Sequence, residues 1–170
     1  ELIGGIAVTG NAPGCPRSAE ELRADMRKAL TMIPGKTKLN LHSSYAQTKG
    51  RNADRDAYTV EDFADWITFA RDNELGLDFN PTFFSHPMMD GNFTLASPDE
   101  RKRRFWIEHG KRCREIGEAF GKALGQTCIV NYWMPDGFKD TPADTALYRR
   151  RMAESLDEIF SAALDEAYVN

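Results

Sequence analysis

A histidine and two large aromatics stand where short apolar runs break into polar residues. His42 closes Leu39-Asn40-Leu41-His42, and Phe79 lies in Leu75-Gly76-Leu77-Asp78-Phe79-Asn80-Pro81. Trp133 lies in Cys128-Ile129-Val130-Asn131-Tyr132-Trp133-Met134-Pro135-Asp136-Gly137. A lone histidine ending a strand is more often a hydrogen-bonded structural residue than a catalytic one, so spacing alone gives His42 no chemical role. The aromatics carry two readings. An aromatic face stacks well on the C–H face of a sugar, and a wall of such rings excludes water from a reacting centre; tryptophan near a strand end is also commonly core. Asp78, Asn80, Asn131, Asp136 and Asp140 gather at the same rim. A two-metal centre needs several carboxylates and usually a histidine converging on one point, and these five residues form no HxH, DxD or HExxH motif. These polar residues are therefore expected to cap loops and turns. His86, before Pro87, and His109, on a charged helix, are expected to be structural.

The elements that position these residues alternate between strand and helix. A first strand is expected over residues 2–9. Ser18 and Glu21 form a capping box for a helix whose Leu22, Met26, Leu30 and Ile33 recur at helical spacing and which Pro34-Gly35 ends. A second strand over 39–42 is followed by a long polar loop from Ser43 to Tyr58. A helix beginning near Thr59, with Phe63, Trp66, Ile67 and Ala70 on one face, leads to a third strand over 75–80. Ser97-Pro98-Asp99-Glu100 combines an N-cap, proline at the first helical position and an acid three residues after the cap, opening a helix that runs to Leu124 and is capped by Gly125. A fourth strand over 127–133 follows. Thr141-Pro142-Ala143-Asp144 repeats the start signal for a last helix reaching about Tyr168. Alternation of this kind means a parallel sheet, either doubly wound or part of a (β/α)8 barrel. In both, the polar clusters at the strand ends share one rim, where βα enzymes keep their active sites.

Composition narrows the function classes. With 170 residues, 41% hydrophobic and 28% charged, the chain is sized for one globular domain with a real core. A net charge of −4 with interspersed signs argues against a nucleic-acid surface. No apolar run approaches the roughly 18 residues of a membrane span, and residues 1–5 lack the features of a signal peptide. Cys15, Cys113 and Cys128 have no zinc spacing, and reduced thiols in a cytoplasmic protein are expected.

Ile33-Pro34-Gly35, Leu39-Asn40-Leu41-His42, Leu75-Gly76-Leu77-Asp78-Phe79-Asn80-Pro81, Phe84-Ser85-His86-Pro87 and Pro135-Asp136-Gly137 resemble, in order and spacing, the N-terminal half of the L-rhamnose isomerase family. Thr9-Gly10-Asn11, Ser18-Ala19-Glu20-Glu21-Leu22-Arg23-Ala24-Asp25 and Phe105-Trp106-Ile107 extend the resemblance, which runs from about residue 4 to residue 164. It implies an α/β fold of the (β/α)8 TIM barrel family, with residues 1–170 forming a partial barrel domain of about the first four βα units and no second domain. It also implies that the chain is incomplete, because family members continue well past this length. The activity implied is aldose–ketose isomerisation of L-rhamnose and L-rhamnulose by a metal-assisted hydride shift in rhamnose catabolism. Carried over residue by residue, the resemblance makes His42, Phe79 and Trp133 substrate-binding candidates. His42 would stand near the ring oxygen during ring opening, and the aromatics would wall the pocket. No residue is assigned as catalytic or as a metal ligand. The family's two divalent cations, commonly Mn2+, take their ligands from the second half of the barrel, and the strand carrying the first of them is expected a few residues beyond Asn170. The isolated chain is accordingly expected to be inactive, and the resemblance implies a parent that is a cytoplasmic homotetramer. Two alternatives remain: another metal-dependent TIM-barrel sugar isomerase or epimerase, since xylose isomerase has a similar His, Phe, Trp layout, or an inert truncated interaction module.

Overall fold

The structure, a computed structural model, describes residues 13–138, 140 and 143–170. The strand expected over 2–9 and the Thr141-Pro142 signal lie outside the described residues.

Helix α1, Ala19–Leu30, begins where Ser18 Oγ accepts from Glu21 N at 3.1 Å. Leu22, Met26 and Leu30 pack on the core. The helix stops before Ile33, which is 52% exposed instead of continuing the apolar face. Strand β1, Lys38–His42, then leads into the polar loop, which contains short 3₁₀ turns at Ser43–Tyr45 and Arg55–Ala57. Thr59 and Asp62 form a reciprocal capping box, but the first turn behind it, Val60–Phe63, is 3₁₀, and helix α2 proper is Ala64–Asp72. Strand β2, Gly76–Asn80, pairs in parallel with β1, placing His42 opposite Asn80.

Helix α3, Glu100–Leu124, is capped by Asp99 and not by Ser97. Ser97 is used differently: its Oγ donates to Asp90 and accepts from Asp99 N, and its carbonyl accepts from Arg103. Gly125 ends α3 in the left-handed conformation, φ +67, as its type predicts.

The expected strand over 127–133 is reduced to a short parallel contact of Val130 with Phe79. Phe79 N donates to Ile129 O at 2.8 Å and Asn131 N to Phe79 O at 2.7 Å. The ladder goes no further on one side because the Asp78 carboxylate captures Ile129 N at 2.9 Å. On the other side, Trp133 N turns back to Asn131 O at 3.0 Å.

Helix α4 is Thr145–Ile159, capped by Asp144, and does not continue to Tyr168. Arg114 closes its C-terminal end by donating to Ile159 O and Ala162 O, each at 2.9 Å. The chain then returns to the sheet, where Val169 pairs in parallel with Cys128. Cys128 N donates to Tyr168 O, Val130 N to Asn170 O and Asn170 N to Cys128 O. A further strand position therefore begins within the chain at 168–170, earlier than the sequence suggested. Two glycines of α3 admit it: a Cβ at Gly121 would stand 2.0 Å from Tyr168 O, and one at Gly117 would stand 3.2 Å from the Val169 side chain.

The parallel segments thus lie in chain order: β1, β2, 128–130, 168–170. A doubly wound sheet reverses its order at a switch point, whereas a barrel wall does not. Sequential order and this mixed α/β architecture fit the TIM-barrel family. The core lies between the sheet and the helices, with Leu41, Phe63, Trp66, Leu77, Phe79 and Phe120 fully buried or nearly so. Each such side chain contributes roughly 1.5–3 kcal/mol by leaving water. A second cluster of Phe83, Leu95, Phe105, Trp106, Ile107 and Ile159 lies beneath the loop after β2.

Candidate functional site

Strand alternation divides the sheet into two chemically different faces. Leu39, Leu41, Leu77, Phe79, Cys128 and Val130 point toward the helices. Lys38, Asn40 and His42 lie on the opposite face with Asp78, Asn80, Ile129, Asn131 and Trp133. Asn40, Ile129, Asn131 and Trp133 are exposed there. Low on this inner face, Lys38 Nζ meets Asp78 Oδ1 at 2.7 Å.

At the rim, His42 ends β1 and Asn80 ends β2. The loop leaving β2 folds back over them. Thr82 N donates to Asn80 Oδ1 at 2.8 Å, and Thr82 Oγ1 donates to Asn80 O at 3.1 Å. The same hydroxyl oxygen lies 3.1 Å from His42 Nδ1. Phe84 links the two predicted residues, its ring centroid 6.3 Å from His42 and 5.1 Å, edge to face, from Trp133. Tyr45 adds a further ring 6.2 Å from His42. The structure therefore gathers His42 and Trp133 around Phe84 at one rim, with Trp133 55% exposed. Phe79 is not brought there. It is fully buried, 5.2 Å from both Phe63 and Phe120, because odd-numbered positions of β2 face the helices.

The loop is held by a buried cation. Arg55, 4% exposed, donates from Nη1 to Thr82 O and to Phe84 O at 2.8 Å, and from Nη2 to Ser85 O at 3.4 Å. Its guanidinium also lies 5.8 Å from the Trp106 ring centre. Pro81 O accepts from Ser43 Oγ and faces His109 Nε2. Burial, and then the nearby Arg55 charge, push the His42 pKa below its ordinary value, so its imidazole is neutral at pH 7.

Asp136, His86 and His109 make structural contacts. Asp136 accepts from Thr94 N and Ala96 N at 2.7 Å each, and from the Thr94 hydroxyl. His86 stacks on Phe105 at 4.9 Å, with Nε2 on Asp54 at 2.9 Å and Nδ1 accepting from Met88 N. His109 is buried, and its surroundings push its pKa down to about 4. Among the described residues no group of three or more His, Cys, Asp or Glu could hold a metal ion. Asp78, the carboxylate on the inner face, is already engaged by Lys38 and Ile129 N. A cleft of about 590 Å³ opens between the start of α1 and the loop carrying Ser44, Tyr45, Asp54 and Tyr58, and neither His42 nor Trp133 lines it.

Sequence reasoning did not single out Arg55, Thr82 or Phe84. Phe84 had a signal, since Phe84-Ser85-His86-Pro87 carries part of the family resemblance. Arg55 and Thr82 had none, because their roles arise from contacts made across 27 residues of chain.

Comparison with known proteins places this geometry in a family. The profile of L-rhamnose isomerase (RhaA) matches residues 1–170. The L-rhamnose isomerase of Listeria monocytogenes serotype 4a (strain HCC23) is 54% identical over 168 residues, 99% of this chain and 40% of its own length. The L-rhamnose isomerase of Mannheimia succiniciproducens is 50% identical over 98% of this chain, and that of Lactiplantibacillus plantarum 49% over 98%. The chain spans about 40% of the length of these curated relatives. Matched over its whole length by the profile, and with half its residues shared with these enzymes, the chain belongs to the L-rhamnose isomerase family.

Proposed function

We propose that this chain is the N-terminal portion of an L-rhamnose isomerase, contributing about the first four βα units of a (β/α)8 barrel and one wall of the sugar site. The observation that carries the reading is the 49–54% identity to L-rhamnose isomerases across 98–99% of the chain. The reaction is the interconversion of L-rhamnose and L-rhamnulose, an aldose and its ketose. In this reading the chain's part is to bind, orient and shield.

In this role Trp133 and Phe84 present a right-angled aromatic corner against the C–H face of the sugar and keep water from it. His42 assists ring opening. A neutral imidazole takes the proton of the anomeric hydroxyl as the C1–O1 bond becomes a carbonyl. The ring C1–O5 bond breaks with its electron pair on O5, which receives the proton. Phe79 supports the strand from behind. Free Cys15, Cys113 and Cys128 accord with a reducing, cytoplasmic setting, and the family expectation of a homo-oligomer belongs to the same reading.

The test is a ketose-forming assay on L-rhamnose with the full-length protein containing this segment and added Mn2+. Turnover abolished by chelator is expected. In the same protein, His42→Asn should depress kcat with metal content unchanged, and Trp133→Ala should raise KM about tenfold. Absence of turnover in the intact protein overturns the proposal. Wild-type kinetics in both variants removes the roles given to His42 and Trp133.

A further inference from the structure

The single proton on Thr82 Oγ1 couples Asn80 and His42, whose O and Nδ1 each lie 3.1 Å from that hydroxyl oxygen. Thr82 Oγ1 spends its only proton on Asn80 O, 3.1 Å away. His42 Nδ1 lies 3.1 Å from that same oxygen, and with the hydroxyl proton on Asn80 O it is Nδ1 that donates. A neutral imidazole has one N–H. Its Nε2 is left with a bare lone pair, and among the described residues no hydrogen bond reaches it. The hydrogen bond made by one ring nitrogen thus decides what the other can do.

Thr82 holds this place in a conformation its residue type disfavours. Its φ is +59, an outlier for a β-branched residue, and its side chain is buried. A turn that needed only a left-handed residue would be served by glycine or asparagine. The surroundings enforce the strained geometry instead: Asn80 Oδ1 accepts from Thr82 N, Arg55 donates to Thr82 O, and Ser43 anchors the preceding Pro81 carbonyl. Strain maintained by three converging groups beside a strand-end histidine is the kind found at functional sites.

We propose that Thr82 is a positioning residue for His42, locking its imidazole in the Nδ1–H tautomer so that Nε2 is left as the hydrogen-bond acceptor for a sugar hydroxyl. Arg55 is the clamp that keeps Thr82 in register. This rests on the reading of the rim as a sugar site, and it specifies which atom of His42 meets the substrate and in which protonation state.

The test uses Thr82→Val, which keeps the β-branch and removes the hydroxyl, and Thr82→Ser, which keeps the hydroxyl. Nitrogen NMR of the histidine-labelled full-length protein reads the tautomer directly. The wild type and Thr82→Ser should show His42 protonated on Nδ1 alone, and Thr82→Val should show a mixture or the Nε2–H form. In the full-length protein, Thr82→Val should lower kcat about tenfold with little change in KM, and Thr82→Ser should restore most of it. A wild-type His42 protonated on Nε2 overturns the proposal. So does a Thr82→Val variant with unchanged tautomer and unchanged kcat. If the tautomer behaves as stated while the full-length protein turns over no aldose, the positioning role stands and the isomerase reading falls.

Discussion

Lowering the pH from about 7 to about 5 should destabilise this protein through His109. The ring sits wholly inside the molecule, between Arg55 O at 2.9 Å and Pro81 O. Phe83 and Trp106 flank it at 5.4 and 5.7 Å, and Cys113 Sγ lies 3.6 Å from Nε2. The two carbonyls favour a protonated ring. Burial outweighs them, and the nearby charges of Arg55 and His86 add to it, taking the pKa from 6.5 to about 4. A histidine depressed in the folded state contributes its full stability above its unfolded pKa. That contribution is lost as pH falls from about 6.5 toward 4, because the unfolded chain binds the proton first. At about pH 5 the loss is about 2 kcal/mol, from 1.36 kcal/mol per pKa unit over the interval already crossed. Urea unfolding at the two pH values, on the wild type and on His109→Gln, measures it. The variant should be less stable at pH 7, having lost its ring contacts, yet show about 2 kcal/mol less acid sensitivity than the wild type. Equal acid sensitivity in the two proteins would falsify the argument, and would mean that the two carbonyls hold a buried imidazolium.

Gly121→Ala should be among the most damaging small substitutions, because its Cβ would stand 2.0 Å from the Tyr168 carbonyl oxygen. A loss of about 3 kcal/mol and a lower Tm are expected, and an unchanged Tm would show that the 168–170 segment does not pack there. Phe79→Ala should cost about 3–5 kcal/mol by opening a cavity between Phe63 and Phe120, while sugar affinity in the folded full-length protein stays near wild type; a selective loss of affinity would return Phe79 to the pocket wall. Arg55→Met strips donors from the carbonyls of Thr82, Phe84 and Ser85 and should cost about 3 kcal/mol. Because Arg55 also lowers the His42 pKa, the His42 titration followed by NMR should move upward in that variant, and an unmoved midpoint counts against the coupling.

Signals that depend on neighbours in the chain were readable in the sequence. The Ser18 cap, the helix start near Thr59, the Gly125 stop and the apolar faces of α1 and α2 are all local patterns, and the structure follows them. Errors came where a distant group outbid a local one. Ser97 lost its cap role to Asp99 because Asp90 and Arg103 engage it. The strand at 127–133 was shortened because a side chain 51 residues away took a backbone donor. The final helix ended early because Arg114 of α3 captures the carbonyl of its last residue, Ile159, and that of Ala162 just beyond. For the site, His42 and Trp133 were visible as strand-end residues of suitable type. Thr82 and Arg55 were not, since neither a threonine at φ +59 nor a buried arginine bonded only to backbone has a sequence pattern.

Period-two alternation explains why Phe79 lies on the helix side of the sheet while His42 and Trp133 lie on the inner face, and it also separates stability from chemistry. Phe79 and Asp78 are adjacent in sequence, yet one fills the aromatic core and the other pairs with Lys38 on the inner face. Nearly all apolar burial lies on the helix side of the sheet, whereas the inner face carries Lys38, Asn40, His42, Asp78, Asn80 and Asn131, with Ile129 and Trp133 as its exposed apolar members. Substituting Trp133, already 55% exposed, removes little buried area. Its cost in stability should stay below about 1 kcal/mol, against the several kcal/mol expected for Phe79. Chemical denaturation of Trp133→Ala and Phe79→Ala side by side tests this directly. Comparable losses in the two would mean that the inner face is packed in solution, and that the rim aromatics hold the fold together instead of facing a ligand.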